Sequence, residues 1–116
     1  MFINSNTKVY FVLGFTDMRK GIDSLCLQVA SNENLNVLDG SLYVFCSKNK
    51  KSIKVLYWDK NGFSLYQKRL ENDKFYWPSD SNDTIEMSLT ELRWFLDGLN
   101  PISCYGYKKI SYKSII

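Results

Sequence analysis

Eight basic side chains crowd one stretch of the chain: Lys48, Lys50, Lys51, Lys54, Lys60, Lys68, Arg69 and Lys74, against the acids Asp59, Glu71 and Asp73. The chemistry open to such a set is anion binding, because each cation can neutralise a phosphate and release its counterions. Tyr57 and Tyr66 lie in the same stretch. Rings beside cations suit nucleic acid, since rings stack on bases while ammonium groups meet the backbone. A solvated basic loop that keeps strand edges from pairing with other chains fits the same residues. Charge alone does not separate the two readings.

Catalytic chemistry has far less to work with. No histidine occurs in the 116 residues, which excludes Ser-His-Asp and Cys-His catalysis, His-ligated zinc and HExxH proteases. Carboxylates remain as possible magnesium ligands: Asp17, Asp23, Asp59, Glu71, Glu91 and Asp97. Several have simpler roles, Asp17 as a helix cap, Asp59 in a turn and Glu91 in a capping box. The sequence has no D-x-D, no calcium-loop pattern and no phosphate-cradling G-x-x-x-x-G-K-[ST]. A non-enzyme without cofactor or metal is the expectation. Gly14 to Gly21 could instead form an anion site at a helix N-terminus, with Arg19 and Lys20 beside it. Asp17 occupies the place an anion would take, which favours an ordinary strand-to-helix turn.

Cys26, Cys46 and Cys104 show no C-x-x-C spacing, so neither a zinc ribbon nor a thioredoxin-like site is expected. Cys26 and Cys46 sit among apolar neighbours and read as buried free thiols. The N-terminus lacks a signal-peptide pattern, and no segment approaches the roughly 20 apolar residues of a membrane span. A reducing cytoplasm and no membrane partner follow as expectations.

The elements that must position these residues come next. Val9 to Leu13 reads as a buried strand. Met18, Ile22, Leu25, Cys26 and Val29 make a helical stripe, capped by Thr16 or Asp17, with Gly21 inside it. Leu42 to Cys46, Ile53 to Trp58 and Phe63 to Leu70 read as strands of a β-meander, turning at Asp59 to Gly62, where Asn and Gly tolerate positive φ. Phe75 to Trp77 suggests one more short strand, and Pro78 to Glu86 a polar loop. Ser88-x-x-Glu91 is a capping box ahead of the apolar positions Leu89, Leu92, Phe95, Leu96 and Leu99, and Gly98 and Pro101 end that helix. The order β-α-β-β-β-(β)-α implies an α+β domain with a mainly antiparallel sheet and two helices. Residues 1–100 form this single domain, and 101–116 a basic C-terminal tail.

Alternation along the hairpin puts Leu56, Trp58, Phe63 and Leu65 on one face and Ile53, Val55, Tyr57, Tyr66 and Lys68 on the other. Neither set is polar. If both helices cover one face, the other needs the tail, a second subunit or a ligand. A core on both faces is the plainer alternative. Formal charge is +4 over residues 1–78, −4 over 79–100 and +3 over the tail. Strand-loop-strand geometry should gather Lys48, Lys50 and Lys51 at one end of the meander, with Lys68 and Arg69 near it and Lys60 at the other end.

Three ordered blocks, G-x-TDMRKGID-x-L (Gly14 to Leu25), IK-x-LYWD-x-NGF (Ile53 to Phe63) and KRLE-x-x-x-F-x-WP (Lys68 to Pro78), carry a resemblance. The chain resembles the TnpB accessory proteins, the second open reading frame of IS-sixty-six-type bacterial insertion sequences, over about residues 8–100. The resemblance implies a non-catalytic accessory of transposition that acts on DNA, at the element ends, or docks on the transposase or a sister accessory protein. It implies no catalytic residue set. The candidate nucleic-acid-binding residues are Arg19 and Lys20 in the first block, Lys48, Lys50, Lys51 and Lys54 in and after the loop, and Lys68 and Arg69 in the third block. Where the family has an arginine-rich stretch this chain has SKNKKS (Ser47 to Ser52). Lysine keeps the charge but lacks the bidentate fork. The family's D-G-N-G turn is D-K-N-G here, a minor change on sequence grounds, and the tail after Pro101 matches no known pattern.

Overall fold

The computed structural model describes residues 6–78 and 84–99. The tail, with Cys104, lies outside the described residues. Seven elements follow in chain order: β1 (Val9–Val12), α1 (Ile22–Ala30), β2 (Leu42–Cys46), β3 (Ser52–Asp59), β4 (Gly62–Arg69), β5 (Thr84–Met87) and α2 (Leu89–Leu96). The strands form one five-stranded sheet in the order β4-β3-β2-β1-β5. β1 runs parallel to β2, and every other pairing is antiparallel. The α+β architecture expected from the sequence is the one observed.

The hairpin register is the expected one, with Trp58 opposite Phe63, Leu56 opposite Leu65, Val55 opposite Tyr66 and Ile53 opposite Lys68. Both faces of the sheet are core. On one face Val12, Tyr43, Phe45 and Leu56 pack with Leu25 and Val29 of α1. On the other, Val9, Phe11, Val44, Ile53 and Val55 pack with Leu92 and Phe95 of α2. The two helices therefore cover opposite faces. Of the two readings of the alternation, the plainer one, a core on both faces, is the one observed, with one helix on each side.

The extra strand also lies elsewhere than expected. Phe75 to Trp77 is not a strand, and its backbone bonds to the β2–β3 loop, Phe75 N–H donating to the Lys50 carbonyl at 2.7 Å. Phe75 and Trp77 instead turn inward under α2. Phe11 stacks on Trp77 at 5.1 Å, Phe75 stacks on Phe95 at 4.9 Å, and Phe11 meets Phe95 edge-on at 5.0 Å. The Trp77 indole N–H is satisfied by the Gly14 carbonyl at 2.9 Å. The fifth strand is Thr84–Met87, which overlaps the end of the segment read as a loop and pairs with β1.

Helix ends explain the remaining differences. Ser88 and Glu91 form the expected capping box, at 3.1 Å and 2.7 Å. At the other end Gly98 (φ +89°) donates to the Phe95 carbonyl and Leu99 to the Trp94 carbonyl, a Schellman closure. α1 starts later than expected, at Ile22 behind Gly21, so that glycine lies at the boundary and not inside. Neither Thr16 nor Asp17 caps it. The Asp17 carboxylate is turned onto Arg19 instead, accepting its backbone N–H at 2.9 Å.

Candidate nucleic-acid interface

Three connections meet at one end of the sheet: the segment 13–21 after β1, the loop 47–51 between β2 and β3, and the segment 70–78 after β4. Backbone hydrogen bonds tie them together. Thr16 N–H reaches the Cys46 carbonyl at 2.8 Å, and Leu70 N–H reaches the Lys51 carbonyl at 2.7 Å. Antiparallel pairing of Ser52 with Arg69 sets the end of β4 beside the start of β3. The geometry thus gathers Arg19, Lys48, Lys50, Lys51, Arg69 and Lys74 around one loop. Lys8 and Lys60 line a concavity at the opposite end.

The loop is braced from within. Ser47 and Ser52 pair through backbone at 2.9 Å, and Lys50 N–H closes a turn onto the Ser47 carbonyl at 3.0 Å. The Asn49 side-chain oxygen accepts from Lys51 N–H at 3.0 Å and from the Ser47 hydroxyl at 2.7 Å. Lys50 sits at φ +62°, in the left-handed region that glycine or asparagine enters at lower cost. Cations are thereby held on a short, ordered ridge.

The eight expected residues separate by environment. Lys48 is exposed, and Lys50 and Lys51 are half-buried. Arg19 is clamped by Asp17, its Nε at 3.1 Å from both carboxylate oxygens and one terminal nitrogen at 2.7 Å. The side-chain hydrogen bond from Arg19 holds the Asp17 carboxyl down at about 2, so the pair persists through mild acid. Arg69 meets Glu71 at 3.0 Å. Lys20 donates to the Gln28 side chain at 3.1 Å, and that amide bonds Thr16 at 3.3 Å.

Lys54 and Lys68 are structural struts. Lys54 is only 7% exposed, and its ammonium donates to the carbonyls of Met18 at 2.9 Å and Lys20 at 2.8 Å. It thereby fixes the turn before α1. Lys68 donates to the Leu96 carbonyl at 2.9 Å, where a cation offsets the negative end of α2. Among the described residues, ion pairs join Arg19 to Asp17 and Arg69 to Glu71, and none engages Lys48, Lys50, Lys51 or Lys74.

Two rings flank this ridge that sequence reasoning did not single out. Phe15, 42% exposed, lines a concavity of about 620 Å³ with Lys48, Asn49 and Ser52. Tyr76, 55% exposed, lines one of about 950 Å³ with Lys50, Lys68 and Lys74 and the carboxylates Asp73 and Asp97. The signal for Tyr76 was present in the sequence: it alternates with Phe75 and Trp77, so burying those two turns it outward. Phe15 had no such pattern around it. Among the described residues no three cysteine or carboxylate groups converge as a metal site, and no helix is long and apolar enough to cross a membrane.

Fold and surface together define a small three-layer α+β domain with a basic, ring-flanked end. The chain belongs to the IS66 Orf2-like family: the family model described as IS66 Orf2 like protein matches residues 7–104. It is thus an accessory protein of insertion-sequence transposition. Two proteins of Sinorhizobium fredii are similar to it. The uncharacterized protein y4hO is 39% identical over 95 residues, covering 82% of this chain and 83% of its own. The uncharacterized protein y4jC is 31% identical over 84 residues, 72% of each chain. No solved structure matches.

Proposed function

We propose that this accessory protein binds DNA in the bacterial cytoplasm without catalysing a reaction, through the ridge that carries Lys48, Lys50, Lys51 and neighbouring Lys74. The observation that supports the reading is the convergence of these four lysines, none in an ion pair among the described residues, on one hydrogen-bonded loop end. Lys20 adds charge at that end, Arg19 and Arg69 are offset there by Asp17 and Glu71, and Lys54 and Lys68 hold the elements that build it. The element's own ends are the DNA on which it acts. Fluorescence anisotropy on labelled terminal sequence tests this across a salt series. Four phosphate contacts give log K against log salt a slope of about −3 to −4 on duplex. Absence of binding at low salt by folded protein contradicts the reading.

A second reading, docking on the transposase or a sister accessory protein, is supported by a different feature. Leu42, Val55, Tyr66, Leu89, Leu92 and Leu96 line an apolar groove of about 380 Å³ rimmed by Arg93. Co-purification of the element's proteins, with and without Tyr66→Glu, tests it. Loss of complex on that substitution is the expected result, and no complex with the unaltered chain contradicts it.

A further inference from the structure

We infer that the basic end takes an unpaired DNA strand in preference to duplex; this rests on the DNA-binding reading above. The first ground is what the end lacks among the described residues. Reading base edges in a duplex groove calls for a projecting helix or ribbon and for bidentate side chains. Here α1 and α2 lie flat on the two sheet faces, packed into its cores. The cations of the 47–51 loop are lysines, which have no fork. Of the two arginines at this end, Arg19 has its fork engaged by Asp17, and Arg69 meets Glu71 through Nε alone.

The second ground is what the end offers. Phe15 and Tyr76 are large rings left exposed on either side of the loop, each in a concavity that holds lysine and carboxylate together: Lys48 with Asp17 beside Phe15, and Lys50, Lys68 and Lys74 with Asp73 and Asp97 beside Tyr76. Bases within a duplex have both faces covered by their neighbours, so a surface ring meets only backbone or groove edge. A base in a single strand offers a free face, and stacking on it is tolerant of sequence. Lysines spaced along a short ridge between two rings then follow the phosphates of one strand. Neither ring belongs to the two buried core clusters.

Anisotropy of the full chain with labelled dT20, rU20 and a 20-base-pair duplex at equal low salt tests the inference. The expected result is dT20 binding at least about ten-fold tighter than duplex, with Phe15→Ala and Tyr76→Ala each weakening dT20 about ten-fold. Duplex affinity stays unchanged in both variants, and Tyr76→Phe retains tight binding. Photocrosslinking of 5-iodouracil-substituted DNA, read by peptide mapping, places adducts on Phe15 or Tyr76. Equal affinity for dT20 and duplex, with the ring variants silent, overturns the strand preference while leaving DNA binding in place. Tighter binding to rU20 than to dT20 overturns the choice of DNA. No binding to any probe overturns the proposed function itself.

Discussion

At the residue scale, Lys50 combines two properties that pull apart on substitution. Its backbone lies at φ +62°, which costs an L-residue roughly 1–2 kcal/mol, while its side chain adds charge to the ridge. Lys50→Gly removes the strain and the charge together. Thermal unfolding should show stability unchanged or raised by up to about 1 kcal/mol, since glycine's extra unfolded-state freedom offsets part of the gain. DNA affinity should nevertheless fall, so the loss cannot be ascribed to unfolding. Lys54 behaves in the opposite way. Lys54→Met keeps the apolar stem but leaves the Met18 and Lys20 carbonyls without their donor. A loss of about 2–3 kcal/mol in denaturant unfolding is expected. Cys46 supplies a pH test. Burial pushes its thiol up to about 12, against about 9 for an unfolded cysteine. The folded state thus keeps a proton that the unfolded state releases, and this contribution to stability is present below pH 9 and lost as pH rises from 9 towards 12. Iodoacetamide at pH 8 should leave Cys46 unmodified in native protein, by mass spectrometry, and label it once denatured.

Elements were legible where several residues repeated one signal, and obscure where a tertiary partner decided. The β2-β3-β4 meander, its register and the Ser88–Glu91 capping box each rest on local alternation or spacing, and each is observed. The strand Thr84–Met87 has only four residues and follows a polar stretch, so its pairing with β1 had no local mark. Phe75 to Trp77 looks like a strand because it alternates, yet the alternation serves an aromatic core under α2. The hairpin turn shows the same limit at finer grain. Positive φ falls on Lys60, at +61°, and on neither Asn61 nor Gly62. Asn61 N–H closes back onto the Asp59 carbonyl at 2.6 Å with Lys60 between them. Lys60 therefore stands where the backbone favours glycine, so the lysine in D-K-N-G is not the minor change expected from the sequence. Lys60→Gly is expected to stabilise the fold by up to about 1 kcal/mol, measured by chemical denaturation.

Across the whole molecule, the fold places its polar work at one end. A helix packs on each face of the sheet, and the described surface that carries the unpaired lysines is a loop end. The basic run from Lys48 to Lys74 was visible in the chain, as was the gathering of Lys48, Lys50 and Lys51. Which cations remain outside ion pairs was not. Arg19, Lys54, Lys68 and Arg69 look alike in sequence, but two meet carboxylates and two meet backbone carbonyls that only the folded chain brings near. The exposed Phe15 and Tyr76 also depend on what the fold buries beside them.

Charge reversal at the two ends of the sheet is the most direct measurement. Lys48→Glu with Lys51→Glu alters the ridge, and Lys8→Glu with Lys60→Glu makes the same change in net charge at the far end. DNA affinity by anisotropy at low salt should collapse by two orders of magnitude or more, about 3 kcal/mol, for the first pair and change only slightly for the second. Equal losses from both pairs, in proteins that unfold at the temperature of the unaltered chain, would contradict a localised DNA-binding end.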